Sequence, residues 1–119
     1  MEKNNIVVYL LGPDGFGDAK SYRQHALAQE EIDSLGFSTI NPHELCESFK
    51  ADDFATRSKY IEACERMCIS GMVLTADKVV TLDGWEQNAH AMKMVGIARA
   101  TKFIEVNHII GFLHEYKKH

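Results

Sequence analysis

Hydrophobic and polar positions change their spacing several times along this chain, and each change predicts an element. Ile6 to Leu11 is an unbroken apolar run, Ile-Val-Val-Tyr-Leu-Leu. A run without alternation predicts a strand covered on both faces, as in a parallel sheet. Gly12-Pro13-Asp14-Gly15-Phe16-Gly17-Asp18 then breaks the run with turn residues, and Asp18 is placed to cap the next helix. From Ala19 to Leu35 the spacing is helical, with Ala28, Ile32 and Leu35 on one face, and Gly36 stops it. Phe37 to Ile40 predicts a short strand closed by Asn41-Pro42. His43 to Ala55 is polar and irregular, predicting a loop with room for a short helix. Ser58 to Leu74 predicts a helix whose stripe is Tyr60, Cys64, Met67, Cys68 and Gly71. A third strand is expected at Lys78–Leu82, a helix at Gln87–Ala100, a fourth strand at Lys102–Val106 and a terminal helix at Ile109–Lys117.

Strands alternating with helices predict a parallel sheet joined by right-handed crossovers. The expected fold class is therefore α/β, a small Rossmann-like three-layer domain occupying residues 1–119. The Ile6–Leu11 strand should be central, because it is the most continuously apolar. No internal repeat, low-complexity segment or linker interrupts the pattern.

Composition narrows the function. The 119 residues suffice for one modest core, and the formal net charge is -4. An acidic balance argues against a nucleic-acid backbone as partner, which calls for a basic face. No apolar run approaches the roughly 18 residues of a membrane span. Met1-Glu2-Lys3-Asn4-Asn5 lacks the regions of a signal peptide, so a cytoplasmic location is expected. Cys46, Cys64 and Cys68 read as reduced thiols, Cys64 and Cys68 sharing one helix face as small buried hydrophobes. The six histidines are scattered without a His-x-x-x-His pair, so no metal site is expected.

Candidate chemistry collects in two loops. Gly12-Pro13-Asp14-Gly15-Phe16-Gly17 follows a strand, as a phosphate-cradling loop does, but has neither the Gly-x-Gly-x-x-Gly register nor a P-loop Lys. Asp14 and Asp18 would repel phosphate. Asp83-Gly84-Trp85-Glu86-Gln87-Asn88 lies at the carboxyl end of the third strand, where open α/β sheets bind ligands. Trp85 can stack on a flat ring or plug the end of the sheet. Glu86 can start the helix, where the dipole favours an acid, or act in catalysis.

Together these motifs resemble a known family. Tyr9-Leu10-Leu11-Gly12-Pro13, Leu35-Gly36-Phe37 with Asn41-Pro42-His43-Glu44-Leu45, and Asp77 with Leu82-Asp83-Gly84-Trp85-Glu86 are similar in order and spacing to the nucleoside 2-deoxyribosyltransferase-like proteins. The nearest branch is a small one frequent in phages and prophages. The resemblance spans about residues 6 to 106. It implies a Rossmann-like fold and cleavage of an N-glycosidic bond, in which a helix-borne Glu attacks the anomeric carbon as in retaining glycosidases. It also implies a homo-oligomer whose neighbouring subunits complete the site, a host-cytoplasmic location if phage-encoded, and no cofactor. Carried over, Tyr9 lies near the nucleophile and Gly12 and Pro13 lie beneath the sugar or phosphate. Asp77 opens the third strand, Asn88 replaces a Ser or Asp, and Ala91 lets the helix approach. Trp85 joins these as a substrate contact. The nucleophile's position falls on Met94, and a thioether forms no glycosyl ester. The remaining candidate carboxylates are Glu86 and Asp83.

Three functions follow. The first is a nucleoside- or nucleotide-binding protein with weak or lost cleavage. The second is an active nucleoside deoxyribosyltransferase or nucleotide N-glycosidase using Glu86 or Asp83. The third is a protein-interaction domain with a vestigial pocket. The apolar stripe Ile109, Ile110, Leu113 and Tyr116 is the expected dimer surface.

Overall fold

A computed structural model describes residues 6–13 and 19–117. The expected Asp18 cap and the glycines at positions 15 and 17 lie outside the described residues. Strand β1 (Val7–Leu11) is followed by helix α1 (Ala19–Ser34), β2 (Ser38–Ile40), the short α2 (Pro42–Leu45), α3 (Arg57–Thr75), β3 (Lys78–Thr81), α4 (Ala89–Thr101), β4 (Glu105–His108) and α5 (Ile109–Lys117). Single 3-10 turns at Ala51–Asp53 and Trp85–Gln87 precede α3 and α4.

The four strands form one parallel sheet in the order β2-β1-β3-β4. β1 is central, as its unbroken apolar run requires. Its side chains alternate between two cores. Tyr9 and Leu11 face Cys64, Cys68 and Met72 of α3 and Ala91, Met94 and Val95 of α4. Val8 and Leu10 face Ala28 and Ile32 of α1 and Phe112 of α5. A period of two on the strand thus places helices on both faces, giving three layers.

Local chemistry fixes the helix starts. Asn41 Oδ1 accepts the His43 N–H and Pro42 opens α2. Thr56 Oγ1 accepts the Lys59 N–H at α3, and Asn88 Oδ1 accepts the Ala91 N–H at α4. Asn88, not Glu86, is therefore the cap of α4. Gly84 takes φ +92°, and a Cβ there would lie 3.4 Å from Pro13, so the loops after β1 and β3 touch.

Several expectations need correction. The fourth strand begins at Glu105 rather than Lys102, because Lys102 ends α4 at φ 68° and Phe103 is exposed. The buried stripe of α3 is Cys64, Cys68 and Met72, while Met67 is exposed. On α5 the buried residue is Phe112, and Ile109, Leu113 and Tyr116 pack against the chain's own core. Only Ile110 of the expected dimer stripe is left well exposed, at 67%. Among the described residues no helix is long and apolar enough to cross a membrane.

Candidate functional site

Two spaces open at the carboxyl ends of β1 and β3. The larger is a cleft of about 780 Å³, within the roughly 300–1,000 Å³ of small-molecule sites. One wall is the first half of α1, with Lys20, Ser21, Arg23, Gln24 and Leu27. The other is Pro13 with the loop that leads into α4, contributing Asp83, Gly84, Gln87 and Asn88. Gln24 Nε2 donates to the Asp83 carbonyl at 2.9 Å and ties the walls together. Asp83 Oδ1 lies 3.0 Å from His108 Nε2. His108 Nδ1 accepts the Ile110 N–H, so the ring proton is the one directed at Asp83.

The smaller space is narrow, about 20 Å³, room for one or at most two waters. Tyr9, Leu11, Gly12, His25, Pro42, His43, Cys68 and His90 line it. These residues come from four helices and the central strand. Ser21 joins the two spaces. Its hydroxyl donates to the Pro13 carbonyl at 2.7 Å, so its oxygen accepts the Nε2–H of His43 at 3.1 Å. Its carbonyl accepts the Nδ1–H of His25 at 2.8 Å, leaving Nε2 as that ring's acceptor. A Cβ on Gly12 would lie 2.9 Å from His25 Cε1, so only glycine lets this ring seat against the strand end.

Burial pushes the His25 pKa down from 6.5 to about 4, the Ser21 carbonyl opposing this and nearby His43 adding to it. The unfolded chain therefore binds a proton that the folded chain refuses. The resulting stability is complete above about pH 6.5 and is lost as pH falls towards 4, roughly 3 kcal/mol in all. Between pH 7 and 4.5, urea unfolding of the wild type should lose roughly 2–3 kcal/mol more than that of His25→Asn, which keeps the donor to Ser21. Equal losses would mean that His25 is hydrated.

Cys68 is fully buried, yet its pKa is held below the ordinary thiol range. The Cys46 thiol, 3.9 Å away, is the largest cause; burial opposes it, and nearby His90 and Tyr9 add to the lowering. Cys46 is correspondingly pushed up and holds its proton. That proton has two acceptors, the Cys64 carbonyl at 3.6 Å and the Cys68 sulfur. Behind His90, the Glu65 carboxylate lies 3.4 Å from Nδ1. Among the described residues no three His, Cys, Asp or Glu side chains come together to hold a metal ion.

The residues expected at one cleft are divided. Pro13, Asp83 and Asn88 line the large cleft, whereas Tyr9 and Gly12 line the smaller space. Trp85 is half-buried against the α3–α4 core, in the manner of a plug. Glu86 is exposed and lines neither space. Asp77 lies at the other end of β3, roughly 13 Å along the strand, where its carboxylate accepts the Val7 N–H at 2.9 Å. It is a brace between strands and is remote from both spaces. Met94 is wholly buried in the core beside Tyr9 and lines neither space. His25, His43 and His90 carried no sequence expectation. His25 had a signal, since Ser21, His25, Ala28 and Ile32 follow helical spacing and are all buried.

A parallel sheet with helices on both faces and cavities at its strand ends defines a small α/β, Rossmann-like domain. The chain belongs to the DUF4406 family, a domain of unknown function, whose model matches residues 6–106. No curated protein matches it.

Proposed function

We propose that this chain binds a nucleoside or nucleoside 5′-monophosphate in the large cleft and does not cleave it. The observation that carries the reading is the distribution of chemistry around that cleft. Lys20 and Arg23 stand in the first turns of α1, where the helix dipole also favours an anion. Gln24, Gln87 and Asn88 offer amides to hydroxyls and base edges, and Leu27 offers apolar surface to a ring. The resemblance to deoxyribosyltransferases agrees with this ligand class. The lack of cleavage follows from Met94, a core thioether where the family's nucleophile is expected, and from Glu86, which lies outside the cleft.

Calorimetric titration with nucleosides and their 5′-monophosphates tests the reading. Arg23→Ala should weaken the monophosphate about tenfold while leaving the nucleoside nearly unchanged, the usual size of one charge-assisted contact. No heat with any nucleoside or nucleotide would overturn the proposal. One observation favours the catalytic alternative: Asp83 is the one carboxylate lining the cleft among the described residues. Chromatographic detection of free base, abolished by Asp83→Asn, would establish that alternative instead.

A further inference from the structure

We propose that Cys68 and Cys46 are a peroxide-reactive pair, in which hydrogen peroxide enters the narrow space beside Tyr9 and His90, oxidises Cys68 and leaves a Cys46–Cys68 disulfide. The inference is independent of any nucleotide in the large cleft. It rests on three features of geometry. The sulfurs lie 3.9 Å apart and face each other from α2's end and mid-α3. Closing to the ~2.05 Å of a disulfide asks for a shift of about 2 Å. Cys46 ends a four-residue helix and leads into a segment whose next residues, Glu47 and Ser48, are exposed, so it is the partner placed to move.

The second feature is access by size. Cys68 lines a space of about 20 Å³, which admits a solute of one or two heavy atoms and excludes a bulky disulfide oxidant. The third is the set of polar groups there. His43 lines the space, and Tyr9 and His90, which line it beside Cys68, hold the thiol's pKa down. They favour the thiolate, which is the reactive form.

The reaction balances. The Cys68 thiolate attacks one peroxide oxygen, the S–O bond forms, the O–O bond breaks, and the departing hydroxide takes a proton to become water. Cys68 is now a sulfenic acid, oxidised by two electrons. The Cys46 thiol then gives up its proton and attacks that sulfur. The S–S bond forms, the S–O bond breaks, and hydroxide leaves with the proton as a second water. Two thiols and one peroxide give one disulfide and two waters.

The full chain, fully reduced, is exposed at neutral pH to a few equivalents of hydrogen peroxide, then alkylated, digested without reductant and analysed by mass spectrometry. The expected product is a Cys46–Cys68 linked peptide, with Cys64 still alkylated and oxidised at least about tenfold more slowly. Glutathione disulfide at the same concentration should give no such product. Cys46→Ser should stop at the sulfenic acid, trapped by dimedone at Cys68. The same peroxide applied in urea should lose the selectivity among the three thiols. All three cysteines unmodified in the native chain, or Cys64 oxidised as fast as Cys68, would overturn the proposal. Because the wild type alone decides this, a variant that fails to fold cannot obscure the answer.

Discussion

Met94→Glu should destabilise the chain by about 4–5 kcal/mol at pH 7, enough to leave much of it unfolded. Met94 is 0% exposed, packed in the core that holds Tyr9, Ala91 and Val95. The substitution removes a buried apolar side chain and puts a carboxylate where neither space reaches it. Such a carboxyl is held above its ordinary pKa, so the folded variant favours the protonated form. Its penalty should therefore shrink as pH falls from 8 to 5, opposite in sign to the loss caused by His25. Urea unfolding across that range measures both, with Met94→Leu as a control expected to cost under about 1.5 kcal/mol. A stable, active Met94→Glu would place Met94 at an open site and return the chain to the glycosidic-cleavage reading.

Phe112→Ala should cost about 3–5 kcal/mol and release α5 from the sheet. Phe112 is 1% exposed, and its ring lies 5.2 Å from that of Phe37 and 4.7 Å from that of Tyr116. Truncation leaves those two rings facing a cavity over Val8 and Leu10. Urea unfolding gives the magnitude, and amide exchange across Ile109–Lys117 should rise towards that of an isolated short helix. A small loss with unchanged exchange would mean that α5 is held by something other than this aromatic cluster.

How far the sequence could be read depended on whether the signal was local. Val7–Leu11 was legible because a strand buried on both faces needs no partner to declare itself. Ile109–Lys117 was legible as a helix, but not its inner face, because Phe112 and Ile110 are equally apolar and only packing tells them apart. β4 was misplaced because an edge strand carries a mixed sequence, here Glu-Val-Asn-His, and the more apolar Phe103-Ile104 drew the boundary forward. The cleft was half legible: Pro13, Asp83 and Asn88 stand in motifs at strand ends, where the topology alone puts ligands. Lys20 and Arg23 gave no sign, since charges early in a helix usually face solvent. The thiol–histidine cluster was illegible. His25, His43, Cys68 and His90 sit on four helices, and nothing in their spacing along the chain brings them together.

The strand order has a consequence for biosynthesis. The central strand is the first made, and its far neighbour comes late: Val7 waits for Asp77, which is 70 residues further on. At roughly 5–20 residues per second of translation, that interval lasts about 4–14 s. For that time the nascent chain carries Val8 to Leu11 with one edge unpaired and one apolar face uncovered. α1 can shield the other face, but α3 and α4 have yet to be made or docked. Residues 7–11 are thus the segment on which a ribosome-associated chaperone would be expected to dwell, and slowing translation before β3 should lower the yield of folded protein.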